Sequence, residues 1–120
     1  MLLVVDDDPA FLQDADRFLD HECGMLMAGD ATQAKKLLDK VGDVCAVALI
    51  DLNLPDEHGF SLIRQVHQRF PSLRIIAISG VSHSVVFETA LRCGATEALR
   101  KPITPEWNAA LKRARVGGSS

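Results

Sequence analysis

Short apolar runs alternate along the chain with longer stretches in which apolar residues recur every three or four positions. Short runs rich in Val, Ile and Leu are typical of strands that are buried on both faces of a sheet. Such runs occur at residues 2–5, 25–28, 46–50 and 75–78 and, more weakly, at 98–99. The pattern therefore predicts five strands.

The longer stretches between these runs have the apolar spacing of amphipathic helices. Asp8 and Asp30 are suitable N-cap residues for the first two of them. Pro71 and Gly94 are typical of residues that follow a helix. The apolar stripes of the five predicted helices are Phe11, Leu12, Ala15, Phe18 and Leu19; Ala34, Leu37, Leu38 and Val41; Leu62, Ile63, Val66 and Phe70; Val85, Val86, Ala90 and Cys93; and Pro105, Trp107, Ala110, Leu111 and Ala114.

The alternation of strands and helices predicts an α/β fold, in which a parallel sheet carries helices on both faces. Right-handed crossover connections leave few arrangements for such a sheet. By analogy we expect a doubly wound, five-stranded (βα)5 sheet of the flavodoxin-like type, with strand order 2-1-3-4-5. One domain would span residues 1–116, and residues 117–120 would form a flexible tail, a linker or an expression remnant.

Composition and charge argue against several classes of protein. The net charge of −3 provides no basic field for nucleic acid or for an anionic membrane surface. No apolar run approaches the ~20 residues of a membrane helix, and the first residues lack the pattern of a signal peptide. Cys23, Cys45 and Cys93 have neither metal-site nor disulfide spacing, so we expect core or boundary cysteines in a cytoplasmic protein.

Charged and polar residues follow four of the predicted strands, at the sheet edge where ligands of such folds bind. Asp6 and Asp7 follow the first strand, Asp51 the third, Ser79 the fourth and Lys101 the fifth. Clustered carboxylates repel one another, and Mg2+, which prefers oxygen ligands, would relieve that repulsion. With an ammonium and a hydroxyl group beside them, they suit phosphoryl transfer to a carboxylate nucleophile.

Four motifs in this order carry a family resemblance: VVDDDP at 4–9, LIDLNLPDEHG at 49–59, ISG at 78–80 and KPI at 101–103. With them, the chain resembles the response regulator receiver domains of two-component signalling over nearly its whole length. The resemblance implies a signalling switch, rather than a metabolic enzyme, that takes a phosphoryl group from a sensor histidine kinase or a phosphotransfer protein. It leaves room for an output domain beyond residue 120 and implies no binding of nucleic acid or membrane by this domain itself.

The resemblance also assigns a phosphoacceptor and a metal site. Asp51 would be the phosphoacceptor. Asp7 and Asp51 would bind the metal directly, and Asn53 would bind it through its backbone carbonyl. Asp6 would act on it through a water molecule. The cofactor implied is Mg2+, with Mn2+ as an alternative.

Ser79 and Lys101 would bind the phosphoryl group, and Pro102 would follow a cis peptide bond. The chain departs from the family at Ala98, three residues before the lysine, where the family usually has a switching Tyr or Phe. In the interpretation that we favour, phosphorylation occurs and the signal leaves by movement of loops and of the fourth helix. In the other, coupling is weak and the domain serves as a phosphate sink or docking module.

The face formed by the fourth helix, fifth strand and fifth helix is the family's usual output and dimer surface. Here it would carry Phe87, Leu91, Arg100 and Trp107, unless some of these belong to the core. A dimer through this face is one expectation. His58 lies in the loop after the third strand. It could sense pH or contact the phosphoryl group, but a histidine at such a place is more commonly a solvated loop residue.

Other classes of protein fit the sequence less well. A dinucleotide-binding dehydrogenase needs GxGxxG and a P-loop NTPase needs GxxxxGK[ST], and neither pattern occurs. An aspartate-nucleophile phosphatase usually carries a second aspartate where this chain has Asn53, which cannot act as a general acid. The remaining alternative is a pseudo-receiver, a protein-docking module that never takes phosphate, although such domains typically lose the acidic residues kept here.

Overall fold

The computed structural model describes residues 1–22, 24–81 and 84–117, with side chains described as far as residue 115. Cys23 and the predicted tail residues 118–120 lie outside the described residues, whereas Gly117 is part of the last helix. The predicted alternation of strands and helices is confirmed. In chain order the elements are β1 Leu2–Val5, α1 Pro9–Phe18, β2 Met25–Ala28, α2 Ala31–Val41, β3 Val47–Asp51, α3 Gly59–Arg69, β4 Arg74–Ser79, α4 Ser84–Cys93, β5 Glu97–Arg100 and α5 Pro105–Gly117.

The sheet is parallel throughout, and its order β2-β1-β3-β4-β5 confirms the doubly wound α/β topology. Every residue of β1 and β3 is buried, as expected of strands covered on both faces. The register pairs Val5 with Ile50, and it pairs Asp51 with Ile78. The carboxyl ends of the central strands are therefore level, and the residues that follow them meet at one edge.

Alternate strand residues point into two separate core layers. Leu3 and Val5 face a layer formed with α2, α3 and α4, whereas Leu2 and Val4 face a layer formed with α1 and α5. Cys45 and Cys93 lie buried in the first layer, which confirms the core prediction for these two cysteines. Within the described ranges, no helix combines the length and the apolar character that a bilayer-crossing segment requires.

The sequence signals for helix ends agree with the structure. The Asp8 side chain accepts a hydrogen bond from the Ala10 amide at 3.0 Å, and Asp30 accepts one from the Gln33 amide at 2.7 Å. Gly94 follows α4 with φ +127°, a conformation that favours glycine. The predicted aspartates thus cap the N-termini of α1 and α2.

Two predicted side-chain positions need correction, and a third that the sequence left open is settled. Phe18 is 54% exposed and Val85 is 69% exposed, although both belong to predicted apolar stripes. Each lies in a terminal turn of its helix, and apolar spacing does not tell how far along a helix the core extends. Trp107, a member of the predicted α5 stripe that the sequence also allowed on an exposed face, is only 2% exposed and packs against Phe11 in the layer under α1 and α5.

The face formed by α4, β5 and α5 consequently has fewer large side chains at its surface than the sequence suggested. Leu91 and Arg100 are exposed and Phe87 is half-buried. A dimer through this face stays a prediction.

Gly59, the first residue of α3, is expected to be intolerant of any side chain. Its amide donates a hydrogen bond to the Leu52 carbonyl at 3.1 Å, and a Cβ atom built on it would lie 2.5 Å from the Asp51 carbonyl oxygen. Because the obstructing atoms are backbone, Gly59→Ala should lower the free energy of unfolding by about 1–3 kcal/mol. Urea denaturation measures this, with Gly80→Ala as the control because a Cβ there meets nothing within 4 Å. Equal losses in both variants would contradict the steric explanation.

Candidate functional site

Three carboxylates converge beyond the ends of β1 and β3. Asp6 is fully buried, and its Oδ1 accepts a hydrogen bond from the Asp8 amide at 2.9 Å. Asp51, the last residue of β3, is buried and accepts a hydrogen bond from the Asn53 amide at 3.1 Å. Asp7 is exposed. One carboxylate oxygen from each of Asp6, Asp7 and Asp51 lies within 4.8 Å of the others, as the order of the strands predicts.

Lys101 brings a positive charge to this cluster from the end of β5. Its backbone amide donates to the Ser79 carbonyl at 2.8 Å, which fixes its position beside β4. Its Nζ lies 2.5 Å from Oδ2 of Asp6 and 3.2 Å from Oδ2 of Asp51. The peptide bond between Lys101 and Pro102 is cis, the isomer that the family resemblance implied.

Burial and neighbouring charges alter the ionisation of this group of residues. Burial, followed by the negative charge of Asp6, raises the pKa of Asp51 despite the opposing Asn53 amide and Lys101 ammonium. For Lys101, burial alone would lower the pKa, but its contacts with Asp6 and Asp51 outweigh burial and raise it. The edge therefore holds more negative charge than its one ammonium group neutralises.

The arrangement fits a hard divalent cation. Oδ2 of Asp6 is buried, and it forms an ion pair with the Lys101 ammonium at 2.5 Å. A cluster of carboxylate oxygens that includes such an atom suits Mg2+ or Mn2+, both of which prefer oxygen ligands. Asn53, the predicted backbone ligand, directly follows this cluster in the β3–α3 loop, with its side chain exposed.

Ser79 lies at the end of β4, where it is buried beside the acceptor strand. Its Oγ accepts a hydrogen bond from the Val81 amide at 3.0 Å, which leaves the hydroxyl hydrogen able to donate elsewhere. Ser79 and Asn53 both line a cavity of about 340 Å3. The remaining lining residues of this cavity are Leu52, His58, Phe60, Val81 and Val86. Ser79 thus lines this cavity from the end of β4, the strand beside the one that ends at Asp51.

The loop after β3 is anchored to α2 by two acidic residues whose roles the sequence did not reveal. Asp56 accepts hydrogen bonds from the Ala31 and Thr32 amides, each at 2.9 Å, and from the Thr32 hydroxyl at 2.7 Å. The Ala31 amide and then the Thr32 groups lower the pKa of Asp56 to about 2. Glu57 contacts the Lys35 ammonium at 2.6 Å. Their position directly after a proline in the acceptor loop was the available signal, but it names no partner.

His58 and Ala98 occupy positions that the sequence left open. His58 caps α3, because its Nδ1 accepts a hydrogen bond from the Phe60 amide at 3.2 Å. This contact gives the ring a structural role and shows no link to the carboxylates. Ala98 pairs with Ala77 in the sheet and packs against the core layer of α2, α3 and α4.

Phe11 is a member of the site that sequence reasoning placed only in the core. Its ring lies under the Lys101 ammonium, with 4.6 Å between Nζ and the ring centroid. Phe11 comes four residues after Asp7 and lies in the first turn of α1, close to the end of β1. That spacing was a usable signal, but it did not distinguish a core ring from one that contacts a charge.

Comparison with known proteins gives one family. The model of the family described as "Response regulator receiver domain" matches residues 2–110. The transcriptional regulatory protein AruR of Pseudomonas aeruginosa is 33% identical over 108 residues, which are 87% of this chain and 44% of that protein. The transcriptional regulatory protein CitT of Bacillus subtilis is 30% identical over 106 residues, which are 88% of this chain and 47% of that protein. The chain thus spans about half the length of these curated relatives.

Solved structures share the fold over nearly the whole chain. The signal receiver domain of an HD domain-containing protein from Pseudomonas fluorescens Pf-5 has a TM-score of 0.89 and 27% sequence identity to this chain. The matched region covers 98% of this chain and 95% of that chain.

Proposed function

Because the chain belongs to the response regulator receiver domain family, we propose that Asp51 accepts a phosphoryl group while Mg2+ is bound beside it. The observation that carries the proposal is the contact of a buried carboxylate with an ammonium group, 3.2 Å apart, inside a cluster of carboxylate oxygens that could hold a metal ion. A carboxylate placed in this way is suited to attack a phosphoryl group, since phosphoryl transfer depends mainly on positioning and charge stabilisation.

In the proposed reaction, a carboxylate oxygen of Asp51 bonds to the phosphorus atom of the donor. The bond between phosphorus and the leaving atom breaks, and its electron pair stays with the donor. Lys101 would neutralise one phosphoryl oxygen, and the Ser79 hydroxyl would donate a hydrogen bond to another. The same residues would position a water molecule for the later hydrolysis of the aspartyl phosphate.

The metal ligands are proposed from the same cluster. Asp7 and Asp51 would bind Mg2+ directly, Asn53 through its carbonyl and Asp6 through water. Bound Mg2+ would neutralise negative charge on the phosphoryl group and on the carboxylates. The raised pKa of Asp51 makes this charge neutralisation important, because the nucleophile must be ionised to react.

A domain of this family is a component of a signalling switch rather than a classical enzyme. We propose a sensor histidine kinase or a phosphotransfer protein as the phosphoryl donor, in the cytoplasm that the cysteine usage favours. Since the chain spans about half of AruR and CitT, we also propose an output domain or a separate target that reads its state. A dimer through α4, β5 and α5 is one form that this output could take.

Ala98 favours a second candidate function. The domain would then dock a partner protein, or store phosphate, without transmitting a change through β5. Ala98 is partly buried against the core and carries no ring whose rotation could connect the site with the surface.

Incubation with acetyl phosphate and Mg2+, followed by intact mass measurement, tests the proposal. We expect a gain of one phosphoryl group that disappears when the metal is chelated. Asp7→Asn should slow the gain, whereas Asp14→Asn, at an exposed position of α1, should not. No gain, with Mg2+ binding demonstrated by calorimetry, would instead support the docking module.

A further inference from the structure

Lys101 has a third neighbour besides its two carboxylates. The ammonium group lies over the face of the Phe11 ring, 4.6 Å from its centroid. An aromatic face attracts a cation, and the attraction grows where water is excluded. The Lys101 side chain is only 21% exposed and Phe11 is buried, so the contact lies in such a place.

The Phe11 ring is held in this position by a second aromatic side chain. Its centroid lies 5.8 Å from that of Trp107, with the two ring planes tilted by 51°. Trp107 is itself buried in the layer between α1, α5 and the sheet. The ring that faces the ammonium group is therefore supported from α5 and has little freedom to turn away.

We propose that Phe11 is a positioning residue for Lys101, and that its ring face keeps the ammonium group beside the acceptor carboxylate of Asp51. The inference rests on the proposed function, because it concerns the residue that would neutralise the incoming phosphoryl group. It adds a residue from α1 to a site otherwise built from strand ends and loops.

The face of an aromatic ring holds an ammonium group in a different way than a carboxylate partner does. A hydrogen bond to a carboxylate oxygen has a narrow range of distance and direction, whereas a π-face attracts a cation over a broad area. The ammonium group can therefore move from Asp6 towards a phosphoryl group on Asp51 while it stays over Phe11. A third carboxylate in place of the ring would add negative charge and oppose an anionic substrate.

The contact itself can be detected by NMR before any reaction. Protons that lie over an aromatic face are shielded, so we expect the Lys101 Hε resonances upfield of those of the other lysines. Phe11→Leu keeps an apolar side chain but removes the ring, and the Lys101 resonances should return to the ordinary range. Unshifted Lys101 resonances in the unaltered protein would overturn the inference.

The rate of phosphoryl uptake from acetyl phosphate with Mg2+ then tests the role. Phe11→Leu should lower the rate by roughly three- to thirty-fold, the range expected for loss of a shielded cation–π contact. Phenylalanine analogues with increasing ring fluorination at position 11 should lower it stepwise, because they keep the shape but weaken the π-face. Phe70→Leu is the matched control, since it removes a ring under the Arg69 guanidinium, 5.1 Å from its centroid, away from the site.

The outcomes separate this inference from the proposed function. A graded loss at position 11 with an unchanged rate in Phe70→Leu supports the positioning role. A wild-type rate throughout the fluorinated series, in folded protein, would overturn it while leaving the phosphoacceptor proposal intact. If the unaltered chain takes no phosphoryl group, the proposed function fails, and the Lys101 resonances alone decide the positioning role.

Discussion

Asp51→Asn is expected to abolish phosphoryl uptake from acetyl phosphate and, without Mg2+, to make the protein more stable at neutral pH. Asparagine offers no carboxylate oxygen to form the aspartyl phosphate. It also removes one of two buried carboxylates that repel each other beside a single ammonium group. We expect the free energy of unfolding to rise by about 1–2 kcal/mol, in the range seen when costly functional charges are removed.

The pH dependence of this gain follows from the direction of the shift. Burial and Asp6 raise the pKa of Asp51 above the unfolded value near 3.8, so the folded state holds the Asp51 proton more tightly. Protonated Asp51 therefore stabilises the folded state fully below about pH 3.8, and this stabilisation is lost as the pH rises through the raised pKa. The stability gain of Asp51→Asn over wild type should therefore be absent in acid and increase as the pH rises from about 3.8 through the raised pKa of Asp51.

Urea denaturation at a series of pH values, with the metal chelated, measures this advantage. Asp43→Asn, at an exposed turn position, provides the control for the loss of one negative charge. A variant that is less stable than wild type at neutral pH would contradict the account of repulsion at the site. Phosphoryl uptake by the variant at the wild-type level would show that another residue is the acceptor.

Lys101→Met should produce the second large effect, a decrease of roughly 10²–10³-fold in the rate of phosphoryl uptake. Methionine keeps an unbranched apolar side chain but removes the ammonium group that contacts Asp6 and Asp51. Stability should also fall, by about 1–3 kcal/mol, which is below the range for a fully buried charge because Lys101 is partly exposed. Bound Mg2+ should reduce this second loss, since it supplies positive charge to the same carboxylates.

Lys36→Met, an exposed change on α2, is the matched control for the loss of one positive charge. Because the pKa of Lys101 is raised above its usual 10.5, its stabilising contribution is complete at neutral pH and disappears only as pH rises through the raised value. The stability difference should therefore stay constant between pH 6 and about 9. An uptake rate within about three-fold of wild type would show that Lys101 does not stabilise the reaction.

The sequence predicted the parallel sheet well because the first four strands contain continuous apolar runs and each helix has its own apolar stripe. It predicted which residues meet at the site for a related reason. In a parallel sheet the residues after the strands share one edge, so topology brings Asp6 and Asp51 together after adjacent β1 and β3 and places Lys101 at the same edge after β5.

Contacts between helices and loops were beyond prediction from spacing. Phe11 was recognised as a core residue, but the cation over its ring depends on how the β5–α5 loop places Lys101. The partners of Asp56 lie 24 and 25 residues away, on α2. The exposure of Phe18 and Val85 depends on where α1 ends and α4 begins relative to their neighbours, which one-dimensional periodicity does not record.

The anchor between Asp56 and α2 has a mechanical consequence. With a pKa of about 2, the Asp56 carboxylate remains charged throughout the physiological range, so ordinary changes in pH do not release it. Three hydrogen bonds, two of them to backbone amides, connect the acceptor loop with the start of a helix. If this loop moves, either α2 moves with it or the three hydrogen bonds break. Movement of the loop can therefore be passed to α2, on the side of the sheet opposite β5.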